Sequence, residues 1–178
     1  AVLCYNKQYQ SSFAEGEKSV RGKAAEDDKK KGKKGKKGAE QSEEDKVAQF
    51  RAREFSPMEM GMLNAFQRYV CFVPDSEDLP QIKYRRARIY YETNHFEEAA
   101  VIFKDIAFNH SKTDLGVYAA NLYMDALNVL GTYSEPRRPS CYDDMNKDIE
   151  PLYGLYCDTP EKHEANAELC TVLEQLRC

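Results

Sequence analysis

The chain has 178 residues, 42% hydrophobic and 31% charged, a length that suits one ordinary domain or a short solenoid of paired helices. Its formal charge of -4 is uneven: residues 21 to 54 hold 12 Lys/Arg against 8 Asp/Glu, a local +4, which leaves -8 for the remainder. An acidic body does not attract phosphate backbones, which argues against a dedicated nucleic-acid-binding domain, and no apolar run approaches the ~20 residues needed to span a bilayer.

Residues 1 to about 20 read as a short helix with Val2, Leu3, Tyr5 and Tyr9 on a partial apolar face. The start Ala1-Val-Leu-Cys-Tyr resembles a helix interior with no N-cap before it, so an upstream extension is expected and a missing signal peptide says nothing about export. From Gly22 to Asp45, and through the run Lys29-Lys-Lys-Gly-Lys-Lys-Gly-Lys-Lys37, there is almost no apolar side chain to bury. Such a segment cannot repay the entropy of ordering, and a mobile Lys/Glu-rich loop over 21 to 54 is expected. The lysine run has three readings: a solvated loop, a contact with an anionic surface, or a nucleic-acid contact. Flanking acidic residues at Glu26 to Asp28 and Glu43 to Asp45 partly neutralise it, which favours the first and leaves only weak anionic-surface contact beside it.

The clearest helix start is Phe55-Ser56-Pro57-Met58-Glu59, with Ser56 as N-cap, Pro57 at the first helical position and Glu59 closing a capping box. Met58, Met62, Leu63, Phe66 and Val70 then form one stripe ending near Cys71 and Pro74. A second helix is predicted from about Asp78 to Glu92 and a third from Phe96 to Ala107, turning at Thr93-Asn94-His95 and packing antiparallel. A fourth spans about Asp114 to Leu130. Ser134 to Ser140 breaks the helix, Ser140 and Asp143 restart it, and Pro151 should bend or divide that fifth helix. A sixth, after Thr159-Pro160, carries Leu169, Val172, Leu173 and Leu176 on one side. No segment sustains strand alternation, so the fold class is all-α.

The run Lys83-Tyr-Arg-Arg-Ala-Arg-Ile-Tyr-Tyr-Glu-Thr-Asn-His-Phe-Glu-Glu-Ala-Ala-Val-Ile-Phe-Lys-Asp-Ile-Ala107 resembles a tetratricopeptide repeat, with Ala87, Tyr90, Phe96, Ala99 and Phe103 as landmarks and Arg86 where a large apolar residue is usual. Small Ala87 and Ala99 would let two helices approach closely while the aromatics fill the space around the crossing. Val117 to Tyr133 looks like the first helix and turn of a next repeat. The resemblance implies antiparallel helix pairs stacked as a short right-handed solenoid: residues 1–20 belonging to a preceding repeat, 55–133 forming the repeats, and 134–178 a Cys-rich helical cap. It also implies a protein or peptide partner on a concave surface lined by Tyr84, Arg88 and Tyr91, then Asn121, Asp125 and Asn128. The wording of the repeat is similar to tetratricopeptide proteins of bacterial envelopes, so a periplasmic or envelope location is expected.

Cysteine usage points the same way. Six are present, and Cys141, Cys157, Cys170 and Cys178 crowd the last 38 residues, a density that favours an oxidising compartment over buried, reduced thiols. Four cysteines allow three pairings; an antiparallel hairpin favours the nested one, Cys141 with Cys178 and Cys157 with Cys170. Cys4 and Cys71 are left over.

No catalytic constellation is legible. Nucleophile elbows, His-Glu-x-x-His helices and dinucleotide glycine motifs are absent, and the Gly32 to Gly38 run lacks the Gly-Lys-Ser/Thr of a phosphate loop. His95 and His110 are expected at helix ends, interacting with free backbone groups. The spacing of His163 from Cys157 and Cys170 matches no zinc pattern, and Asp143 and Asp144 suit a helix's first turn. Neither metal nor cofactor is expected. The function read from the sequence is a non-catalytic interaction scaffold; the alternative is a disulfide-stapled helical accessory segment of a larger envelope enzyme or secretion machine.

Overall fold

The structure, a computed structural model, describes residues 47–177. The expected N-terminal helix, the lysine run, Cys4 and Cys178 lie outside the described residues. Within them are seven helices and no strand: α1 (Pro57–Phe72), α2 (Leu79–Glu92), α3 (Phe96–Asn109), α4 (Asp114–Thr132), α5 (Ser140–Tyr156), α6 (Pro160–Ala165) and α7 (Ala167–Arg177).

The capping box at the start of α1 is complete. Ser56 Oγ accepts from the Glu59 N–H at 3.2 Å, and the Glu59 carboxylate accepts from the Ser56 N–H at 2.8 Å. Arg53 adds a two-pronged contact to the same carboxylate, at 2.5 and 3.0 Å. These hydrogen bonds hold the Glu59 carboxyl at about 2, against the cost of its burial. Met62, Leu63 and Phe66 on α1 pack with Ile82 and Ile89 of α2 into a small core of their own.

The main core runs through α2, α3, α4, α5 and α7. Ala87 and Ala99 are completely buried, as close approach of α2 and α3 requires, with Phe96 and Phe103 filling the space beside them. Each helix from α1 to α5 packs on the next, and α5 packs on α7. Alternate helices also touch, α2 with α4, α3 with α5, and α4 with α7. At the start of α4 the backbone comes so near its neighbours that a Cβ on Gly116 would lie 2.5 Å from the His110 carbonyl oxygen.

Four local expectations need correction. Helix α5 is not divided at Pro151: the ring and Lys147, whose carbonyl loses its helical donor, both face solvent, so water can serve that carbonyl. It does restart at Ser140, as expected, with Pro139 as N-cap and no side-chain cap bond. The last helix is two, because the chain breaks at Asn166, whose side-chain N–H donates to the Tyr156 carbonyl at 3.0 Å. On α7 only Leu169 and Leu173 of the four-residue stripe are buried, while Val172 and Leu176 are each 37% exposed.

The fourth correction concerns residues 47–54, the end of the expected loop. Residues 47–49 form a helical turn, and Phe50 stacks on Tyr133 at 4.9 Å and tilts against Phe96 at 6.1 Å. This strap is held where three distant aromatics meet, which composition alone cannot reveal.

Among the described residues one disulfide, Cys157–Cys170, ties the end of α5 to α7, with both residues buried. Cys141 is a free, half-buried thiol and Cys71 a free, exposed one. The expected outer staple from Cys141 to Cys178 is therefore not formed by Cys141, and Cys178 itself lies outside the described residues.

Candidate functional site

The six residues assigned to a binding face stand on α2 and α4, which lie side by side. Tyr91 donates its phenol hydrogen to Asp125 across the two helices. Burial, then the Asp125 carboxylate, pushes the Tyr91 phenol far up, so it remains a donor. One turn earlier on α2, Arg88 clasps Glu92 at 2.5 and 2.9 Å, and Tyr84 packs on Phe103 with ring centroids 5.8 Å apart.

Exposure divides the six. Asp125 and Asn128 are exposed, whereas Tyr84, Arg88, Tyr91 and Asn121 are half-buried, their stems covered by neighbouring side chains. Asn121 returns its side-chain N–H to the Val117 carbonyl at 3.4 Å, and Asn128 accepts from Thr132 at the same distance. The α2–α4 surface is therefore an array of prearranged polar groups over an apolar base.

The face continues further than the sequence assignment. Tyr118, 59% exposed, stands one turn before Asn121 and, with Asp114 and Val117, lines a groove of about 360 Å³ against residues 164–169. The spacing 118, 121, 125, 128 is a regular helical stripe, so extending it by one turn would have found Tyr118.

A second polar junction escaped sequence reasoning. Asp148 of α5, 5% exposed, accepts from Tyr123 of α4 at 2.6 Å and pairs with Lys104 of α3 at 2.6 Å. The Lys104 ammonium also lies 5.7 Å from the Tyr123 ring centroid and 5.9 Å from that of Phe108. Burial and Asp148 together push the Tyr123 phenol up. The contacts join three helices and are satisfied within the protein, which makes the junction structural.

The histidines are placed without a shared centre. His95 stacks on Phe55 at 4.2 Å and its Nδ1 is 3.1 Å from the Thr93 carbonyl. The His110 N–H donates to Ile106 at the end of α3. His163 pairs with Glu174 at 3.0 Å, and the nearby Cys157 and Cys170 sulfurs are bonded to each other rather than available to a metal. Among the described residues no group of three His, Cys, Asp or Glu is arranged to hold a metal ion, and no helix is long and apolar enough to cross a membrane.

Comparison with protein-family models, curated proteins and solved structures finds no match to this chain.

Proposed function

We propose that the chain is a non-catalytic protein-interaction scaffold whose helices stack as a short tetratricopeptide-like right-handed solenoid, binding a protein or peptide partner across α2 and α4. The observation that carries this reading is the placement of α2 beside α4, bridged by Tyr91 and Asp125, in an array where alternate as well as successive helices touch. Equivalent helices brought side by side create a surface wider than either one, and such surfaces are what helical repeats offer to partners.

The chemistry of the face fits that role. Tyr84, Tyr91 and Tyr118 supply amphipathic area with little rotamer entropy to lose, while Arg88, Asn121, Asp125 and Asn128 supply donors and acceptors. The pair α6–α7, with α7 stapled to the end of α5 by Cys157–Cys170, serves as the cap of the array. A buried disulfide in that cap supports an oxidising compartment, for which the periplasm or envelope of a bacterium is the reading the family resemblance favours.

The test is a pull-down from envelope extract with the intact chain and a variant carrying alanine at Arg88, Asn121, Asp125 and Asn128. These side chains lie on the face without forming its apolar base, so the variant should keep its helix content and lose the captured partner. A variant that retains every partner of the wild type would place binding elsewhere.

A further inference from the structure

The strap at residues 47–53 is bound in the manner of a recognised peptide. Asn94 occupies the turn between α2 and α3 with φ at 63°, the left-handed conformation that Asn tolerates better than most residues. That backbone presents its side-chain N–H to two carbonyls of the strap, Gln49 and Arg51, each at 3.0 Å. The Arg53 N–H returns a bond to the Thr93 carbonyl at 3.1 Å. Main-chain groups thus hold the strap's path independently of its side chains.

Two side chains supply identity. Phe50 is the anchor, between Phe96 of α3 and Tyr133 at the end of α4. Arg51 pairs with Glu135 at 3.0 Å, with 73% and 63% of those side chains exposed, so the pair selects charge more than it adds affinity. Beside the strap a cleft of about 330 Å³ stays open, lined by Glu97, Glu98 and Glu135 together with Arg138, which pairs with Glu97. The docking surface therefore reads a backbone turn, with Phe50 N–H bonded to the Val47 carbonyl at 3.1 Å, an aromatic ring and a following cation.

We propose that this turn-and-cleft is a peptide-binding site separate from the α2–α4 face, occupied in cis by residues 47–53, and that it accepts in trans a peptide that takes up the same turn and carries an aromatic residue followed by arginine. The strap contributes one inserted ring, a few main-chain bonds and an exposed ion pair, a small set of contacts that a competing segment can match. Occupancy in cis scales the apparent affinity of any trans peptide down to the fraction of molecules whose site is free.

The experiment uses the full chain and a fluorescent peptide of the sequence Val-Ala-Gln-Phe-Arg-Ala-Arg-Glu, followed by anisotropy. Phe50→Ala in the protein empties the aromatic slot, and the labelled peptide should then bind at least tenfold more tightly than it binds wild type. Adding Asn94→Gly, which keeps the left-handed turn but removes the carboxamide, should return the affinity to the wild-type level or below. A peptide with alanine for its phenylalanine should not bind either protein. Equal affinity for wild type and Phe50→Ala, or no binding to a Phe50→Ala chain whose circular dichroism is unchanged, would overturn the proposal. So would loss of helix content in Phe50→Ala, because the strap would then be a fixed part of the core.

Discussion

Tyr156, at the end of α5, donates its phenol hydrogen to the main-chain carbonyl of Ala107, 2.6 Å away in the interior. Ala107 lies in the last turn of α3, where carbonyls have no helical donor of their own, so a side chain 49 residues downstream completes the end of that helix. Burial pushes the Tyr156 phenol up to about 12, which keeps the donor protonated throughout the physiological range.

Tyr156→Phe removes this donor and leaves the Ala107 carbonyl buried and unpaired. The expected loss is about 1–2 kcal/mol in urea unfolding, with helix content unchanged before the transition. An unchanged midpoint would show that the carbonyl finds another donor.

Gly116 and Gly154 make a matched pair. A Cβ at Gly116 would meet the His110 carbonyl oxygen at 2.5 Å and the Tyr156 hydroxyl at 2.6 Å, whereas at Gly154 it would meet nothing within 4 Å. Gly116→Ala should cost roughly 1–3 kcal/mol net through overpacking, while Gly154→Ala should stabilise by roughly 0.5–1 kcal/mol through helix propensity alone. Thermal unfolding of the two variants should therefore shift in opposite directions.

The Cys157–Cys170 bridge closes a loop with a sequence separation of 13 residues. In the chain-entropy model such a loop is worth about 3 kcal/mol, so Cys157→Ala/Cys170→Ala should lower stability by that order. Alkylation of the folded, non-reduced protein should label Cys71 readily, Cys141 slowly, and neither Cys157 nor Cys170. Labelling of Cys157 or Cys170 without reductant would contradict the bridge.

Glu59 gives the N-terminal end of the array an acid dependence. Its carboxyl is lowered from 4.5 to about 2 by the Arg53 contact and the Ser56 cap, opposed by burial. Folding therefore gains from the ionised form in full above pH 4.5, and that gain falls away as pH drops from about 4.5 toward about 2. Glu59→Gln should flatten this part of the stability profile, and added salt should weaken the half-exposed Arg53 contribution.

Local chemistry made much of the fold readable. Ser56, Pro57 and Glu59 announce a helix because the cap uses residues three apart, and Ala87 and Ala99 announce a close crossing because only small side chains permit one. The strap, the Asp148 junction and the exposure of Val172 and Leu176 were hidden because each depends on which distant surface arrives opposite. Phe50 sits in a polar stretch and is half-buried against Phe96 and Tyr133, while Asp148 reads as an ordinary surface acid until Lys104 and Tyr123 close over it. The α2–α4 face was legible as a stripe of residues, but not the Tyr91–Asp125 bond that joins its halves.

Site-specific photo-crosslinking tests the interaction face most directly. A photoreactive phenylalanine analogue is placed at Asn128, exposed on α4, or at Val101, 72% exposed on α3, and the chain is irradiated in envelope extract. A scaffold that binds through α2 and α4 gives a discrete crosslinked partner from position 128 and none from position 101. The same partner from position 101 alone, or from both positions equally, would contradict it.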